Sequence, residues 1–184
     1  MTARAAHGSG RAAILFDRDG VLNVDEGYTY DPARLAWIEG AREAVRMAND
    51  AAVLALVVTN QSGIGRGYYS ESQMHAFHAA MVDSLAEAGA RIDAFYFSPF
   101  HEDAAEARYR QADHPDRKPN PGMLLRAMAD HGVDPARAAM IGDKRSDMEA
   151  AARAGVKGVL FTGGDLRPVV ADLLAHVGGG PFRS

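Results

Sequence analysis

Ala12-Ala13-Ile14-Leu15-Phe16-Asp17-Arg18-Asp19-Gly20 decides the fold of this chain. The opening run is short, apolar and free of glycine and proline, so it reads as a strand buried on both faces. Two carboxylates, Asp17 and Asp19, emerge where that strand ends. In open α/β sheets, ligands bind beyond the carboxyl ends of the strands. The pattern returns far downstream, where Ala139-Met140-Ile141 leads into Gly142-Asp143-Lys144 and then Asp147. Two acid-loaded strand ends that can fold to one edge point to a divalent cation and a phosphate ester.

Working outward, strands and helices alternate. An irregular stretch over 21–38 precedes a helix over about 39–49, with Ala41, Ala44, Val45 and Ala48 at helical spacing. A second strand, 53–58, ends in Thr59-Asn60-Gln61-Ser62-Gly63. Ser70 and Gln73 predict a capping box for a helix reaching about Ala88, with Gly89 beyond it. A third strand follows over 92–98, then a connection over 99–119 without clear periodicity; a loop that long is a candidate functional segment. Pro121 opens a helix to about His131, Asp134-Pro135 predicts a short helical turn, and a fourth strand covers 138–141. A helix ending near Gly155, a fifth strand over 158–161 and a last helix over 166–177 complete the pattern. Alternation with uniformly apolar strands predicts one doubly wound, mostly parallel sheet between two helical layers. Right-handed crossovers then bring Asp17, Asp19, Thr59, Asn60 and Asp143 to one edge. The expected organisation is a tail over 1–11, a single domain over 12–177 and a frayed tail over 178–184.

Composition narrows the function. The 184 residues are 47% apolar, sufficient for one core, and the formal charge is −4 with no basic block, which argues against nucleic acid as a partner. Cysteine is absent, which excludes disulfides and thiolate-held zinc and fits a reducing compartment. No stretch approaches the roughly 20 apolar residues of a membrane span, and the first eleven residues lack a signal-like apolar run. The expectation is a cytoplasmic monomer that does not engage membranes.

Chemistry follows from the acids. Like charges 4 Å apart repel by about 1 kcal/mol in water and about 4 kcal/mol at an effective dielectric of 20. Asp17, Asp19, Asp143 and Asp147 gathered together therefore require protons or a cation, and an oxygen-ligated Mg²⁺ meets that need. Asp17, at the strand terminus, is placed to attack phosphorus, and Asp19 to protonate the leaving alcohol and later activate water. Thr59 and Asn60 offer donors to phosphoryl oxygens, Lys118 a point charge, Arg117 a fork for a second phosphate or carboxylate, and Lys144 a further cation. Asp147 can equally cap a helix or pair with Lys144. His75 and His78, at i, i+3 on a helix, are expected at the solvent or the core edge without a role.

Asp17-Arg18-Asp19-Gly20-Val21, Thr59-Asn60, Lys118 and Gly142-Asp143-Lys144 with Asp147 resemble the four ordered motifs of the haloacid dehalogenase (HAD) superfamily of phosphatases. The resemblance spans 14–155 and implies a Rossmann-like, capless HAD fold. It implies Asp17 as nucleophile, Asp19 as general acid/base, Thr59 and Lys118 as phosphate stabilisers, and Mg²⁺ held by Asp17, Asp143 and the main-chain carbonyl of Asp19. The stretches 16–28, 59–67 and 117–123 are similar to the heptose-bisphosphate and histidinol-phosphate phosphatase branch. That likeness implies a small phosphorylated sugar as substrate, contacted by Asp25, Glu26, Gly27, Tyr28, Thr59, Asn60, Gln61, Ser62, Arg117, Lys118 and Lys144. Removal of the 7-phosphate of a heptose 1,7-bisphosphate is the expected reaction. Histidinol phosphate hydrolysis and a phospho-aspartate signalling or phosphate-binding module are the alternatives. Members of the branch often carry a zinc loop of three Cys and one His before the Arg-Lys pair. Here that stretch holds no thiolate, so no structural zinc is expected and packing must hold the loop.

Overall fold

The computed structural model describes residues 10–178. Five strands form one sheet: β1 (Arg11–Phe16), β2 (Leu54–Asn60), β3 (Ala94–Ser98), β4 (Val133–Gly142) and β5 (Lys157–Leu160). Every pairing is parallel, in the order β3-β2-β1-β4-β5. The side-chain alternation of a strand splits the core in two. Ile14 and Phe16 of β1 face one way, with Ala55, Val57, Ala139 and Ile141, and are covered by α1 (Ala41–Asp50), α3 (Glu71–Glu87) and α6 (Leu166–Val177). Ala13 and Leu15 face the other way, with Leu56, Val58 and Met140, under α4 (Gly122–His131) and α5 (Arg145–Ala154). Each fully buried Ile, Leu or Phe contributes about 1.5–3 kcal/mol of transfer free energy.

Local chemistry sets the boundaries as expected at α3, where Ser70 Oγ accepts from Gln73 N at 3.2 Å and Gln73 Oε1 accepts from Ser70 N at 2.9 Å. Two features differ from expectation. Residues 62–65 form a short helix, α2 (Ser62–Gly65), inside the expected loop. The helical turn expected at Asp134-Pro135 is absent, and the segment belongs to β4 as a bulge. β1 advances from Arg11 to Ala13 while β4 advances from Val133 to Ala138. Asp134 Oδ1 accepts from Ala136 N at 2.9 Å, and Arg137 donates to the carbonyls of Gly10 and Val177. Those tertiary bonds hold the chain extended where the Asp-Pro pair alone also suits a helix start. Arg11, expected in the N-terminal tail, begins β1, with Gly10 before it; Gly178 caps α6, and residues 1–9 and 179–184 lie outside the described residues.

No helix among the described residues is long and apolar enough to cross a membrane. The chain winds from β1 through β2 to β3, then crosses to β4 and β5 on the opposite side of β1. Crevices open where the winding reverses in this way, at the carboxyl ends of the central strands. Asp17, Thr59 and Asp143 stand at the ends of β1, β2 and β4, the three middle strands.

Candidate active site

Asp17 continues the β1 ladder, its N–H donating to the Ile141 carbonyl at 2.8 Å. Its Oδ1 accepts from Arg18 N at 2.8 Å and lies 3.0 Å from Lys118 Nζ. No donor among the described residues binds its other oxygen. Burial pushes the Asp17 carboxyl up to about 7, against the pull of Lys118 and with the push of Asp147 and Asp19. Lys118 Nζ also donates to the Val58 carbonyl at 2.9 Å and to Asp147 Oδ1 at 2.6 Å, which commits all three of its protons. Burial disfavours the ammonium, yet Asp17 and Asp147 outweigh that and hold its pKa above the usual value. Asp147 caps α5 as expected, Oδ2 accepting from Lys144 N, but its ion pair, through Oδ1, is with Lys118 rather than Lys144.

Two glycines make room for Asp143 and Asp147. Gly20 sits at φ +85°, and a Cβ there would collide with the Asp143 carboxylate. A Cβ on Gly142 would collide with the Asp147 side chain. One carboxylate oxygen from each of Asp17, Asp143 and Asp147 lies within 4.8 Å of the others. Burial raises the Asp143 carboxyl above the usual range, partly offset by Lys144. Asp143 Oδ1 is buried and has no hydrogen-bond partner. A sealed, unpartnered carboxylate oxygen beside two more acids is a donor set suited to a hard divalent cation, so the residues present fit Mg²⁺. Among the described residues no other group of three His, Cys, Asp or Glu comes as close together. The Asp19 carboxylate is not part of that group.

Asp19 is turned aside by a cluster of donors. Arg18 forks onto it, with Nη2 at 2.9 Å from both oxygens; Asn23 Nδ2 donates to Oδ1 and Gln61 Nε2 to Oδ2, each at 2.9 Å. Gln61 is saturated, since Nε2 also donates to Thr59 Oγ1 at 2.8 Å and Oε1 accepts from Tyr69 OH at 2.5 Å. Thr59 thus accepts through its oxygen and keeps its own proton for a ligand. The Asn60 amide is spent differently from expectation: it bonds the Lys118 backbone in both directions, at 3.0 and 3.1 Å, and so fixes that lysine against the end of β2.

Beside this cluster opens a cavity of about 320 Å³, lined by Asp19, Asp25, Gly27, Tyr28, Asn60, Gln61, Ser62 and Lys144, together with Thr29 and Tyr69. A deeper recess holds Asp17, Thr59, Lys118, Ser146 and Asp147. Lys144 Nζ reaches Asp25 Oδ2 at 3.3 Å and Asp143 Oδ2 at 3.8 Å across the mouth. Two expected contact residues are not brought to these walls. Glu26 is turned to Arg34 at 2.6 Å, and Arg117 donates to the Phe100 carbonyl at 2.8 Å.

Packing orders the 99–119 connection. Ala104 and Tyr109 bury against Ile64, Tyr69 and Met74, with Phe100 alongside. The rings of Phe100 and His114 stack at 3.4 Å with 7° between planes, and Tyr109 OH donates to Glu71.

Sequence reading missed three residues that hold the site: Arg18, His78 and Tyr69. Met74, Phe77, His78, Met81 and Leu85 are the buried side of α3, so the spacing placed His78 on the apolar face rather than at the solvent.

An acid cluster at the switch point of a parallel sheet, with a buried lysine on the leading carboxylate, defines a phosphoryl-transfer site of the HAD class. A family model described as HAD-hydrolase-like matches residues 116–177. The chain is 42% identical over 178 residues, 96% of each protein, to D-glycero-beta-D-manno-heptose-1,7-bisphosphate 7-phosphatase of Rhodopseudomonas palustris. The crystal structure of a putative HAD-like phosphatase from Mesorhizobium loti superposes with a TM-score of 0.85 at 35% identity, covering 100% of this chain and 94% of that one. D,D-heptose 1,7-bisphosphate phosphatase from B. bronchiseptica, complexed with magnesium and phosphate, superposes with a TM-score of 0.73 at 31% identity, covering 88% and 86%. The chain belongs to the HAD superfamily, in the family of the heptose-1,7-bisphosphate 7-phosphatases.

Proposed function

We propose that this chain is a Mg²⁺-dependent phosphomonoesterase that removes the 7-phosphate of D-glycero-D-manno-heptose 1,7-bisphosphate. The observation that carries this reading is Asp17: one oxygen anchored by Arg18 N and Lys118, the other unbonded, beside Asp143 and Asp147. The substrate rests on the relatives, whose names state that reaction.

Asp17, Asp143 and the main-chain carbonyl of Asp19 would hold Mg²⁺. Bound there, the ion neutralises the carboxylates and polarises a phosphoryl oxygen. The free oxygen of Asp17 attacks phosphorus and the bond from phosphorus to the C7 oxygen breaks. Asp19 gives its proton to that leaving oxygen. The resulting Asp19 carboxylate takes a proton from water, whose oxygen attacks phosphorus, and Asp17 departs as orthophosphate forms. The Thr59 hydroxyl donates to the transferring group. Lys118, its protons committed, orients Asp17 and favours its ionised form against burial. Asp25, Gly27, Tyr28, Asn60, Gln61, Ser62 and Lys144 line the sugar cavity, and Glu26 and Arg117, turned to Arg34 and to the Phe100 carbonyl, take no part in its walls. The loop over 99–119 works without zinc, held by the Phe100–His114 stack, and the enzyme acts as a monomer.

Phosphate release with Mg²⁺, measured side by side on heptose 1,7-bisphosphate and histidinol phosphate, tests the reading. Higher kcat/KM on the heptose, with the 1-phosphate as product, is expected. Preference for histidinol phosphate would overturn the substrate, and turnover of neither would overturn the activity.

A further inference from the structure

Arg18 is the largest side chain that is fully buried, and the steps above give it no part. All of its donor nitrogens are engaged. Nε lies 3.2 Å from Asp19 Oδ1, Nη2 reaches both Asp19 oxygens and the Thr29 carbonyl at 2.6 Å, and Nη1 meets His78 Nε2 at 3.2 Å. The guanidinium also rests 4.7 Å from the centre of the Phe77 ring.

Arginine can only donate, so His78 Nε2 accepts, and the imidazole is neutral with its proton on Nδ1. Burial, and next the charge of Arg18, push His78 down to about 3, which keeps that acceptor through the ordinary pH range. The ring is itself fixed by stacking on Phe95, with centroids 4.3 Å apart and 18° between planes. A buried guanidinium with one carboxylate partner is costly unless every donor is matched. Here Asp19, Thr29 O and His78 give every nitrogen a partner and match four of the five N–H groups.

We infer that Arg18 and His78 are positioning residues: His78 seats Arg18, and Arg18 aims the Asp19 carboxylate and ties it, through the Thr29 carbonyl, to the loop that carries Asp25 and Tyr28. This rests on the phosphatase reading with Asp19 as general acid/base. Misplacing a catalytic group by about 1 Å costs up to about a hundredfold in rate. Without Arg18, Asp19 keeps only the neutral donors Asn23 and Gln61, which do not fork.

The test exploits the leaving group. An alkyl ester needs a proton on its departing oxygen, whereas p-nitrophenolate leaves unaided. kcat/KM is measured for wild type, His78→Phe, His78→Gln and Arg18→Lys on heptose 1,7-bisphosphate and on p-nitrophenyl phosphate. His78→Phe keeps a ring against Phe95 and removes the acceptor. It is expected to lower kcat/KM on the sugar ester about tenfold, with p-nitrophenyl phosphate within about twofold. His78→Gln, whose amide oxygen accepts, is expected to restore most of the loss. Arg18→Lys is expected to cost about a hundredfold on the sugar ester alone; should it fail to fold, the His78 pair decides. An equal fall on both esters, or no fall in His78→Phe, would overturn the inference while leaving the phosphatase reading intact. No turnover of either ester by the wild type would overturn that reading and this inference with it.

Discussion

Lys118 Nζ and Asp17 Oδ1 stand 3.0 Å apart in the interior, with Asp147 completing the pair at 2.6 Å from the same ammonium. Removing the cation alone leaves two carboxylates in a dry site. Lys118→Met is expected to lower stability by about 3–5 kcal/mol and to abolish turnover. Denaturant unfolding and phosphate release check the two halves.

Asp17→Asn keeps the shape of the site and removes the nucleophile. Turnover is expected to fall at least about a thousandfold, with circular dichroism unchanged. The neutral amide also relieves a carboxylate that resists ionisation, so the metal-free variant is expected to melt no lower than the wild type.

Asp17 carries a further pH signature in the metal-free protein. Its folded pKa, about 7, lies above the ordinary 3.8, so between those values the folded state binds more protons than the unfolded one. Stability from this group is full below the unfolded value and lost as pH rises towards 7. Protons and Mg²⁺ then compete for the same carboxylate. Titration calorimetry is expected to show Mg²⁺ affinity falling as pH drops through about 7, with proton release on binding.

His78 has the opposite sign. Its folded pKa, about 3, lies below the ordinary 6.5, so the unfolded state binds the extra proton between them. Stability from this group is full above 6.5 and is lost as pH falls towards 3. His78→Gln is expected to flatten that acid limb of the stability curve, read by denaturant midpoints across the range.

Gly20 allows Asp143 its position by its left-handed backbone and its missing side chain. Gly20→Ala is expected to displace Asp143, weaken Mg²⁺ binding at least about tenfold and lower stability by about 1–3 kcal/mol. Metal titration of the folded variant checks this.

The acid motifs were legible because each follows an apolar run that can only be a buried strand, so Asp17, Thr59 and Asp143 meet at one edge by topology. The Ser70–Gln73 cap was legible because its partners are three residues apart. Arg18 and His78 were not, since a buried guanidinium is made tolerable by a partner 60 residues away. The Asp134 turn was misread because an Asp side chain accepting from the backbone two residues on serves a helix start and a strand bulge alike. Glu26 and Arg117 sit in the right stretches of sequence, but adjacency does not set direction, and Arg34 and the Phe100 carbonyl turn them elsewhere.

Everything proposed for the chemistry passes through a phosphoryl group on one side chain. Asp19→Asn removes the base that hydrolyses that species, and p-nitrophenyl phosphate needs no acid to form it, so rapid acid quench of this variant with p-nitrophenyl phosphate and Mg²⁺, followed by peptide mapping, reads it directly. The account predicts phosphate on Asp17. Phosphate on another residue, or product formed with no protein-bound phosphate at any quench time, would contradict it.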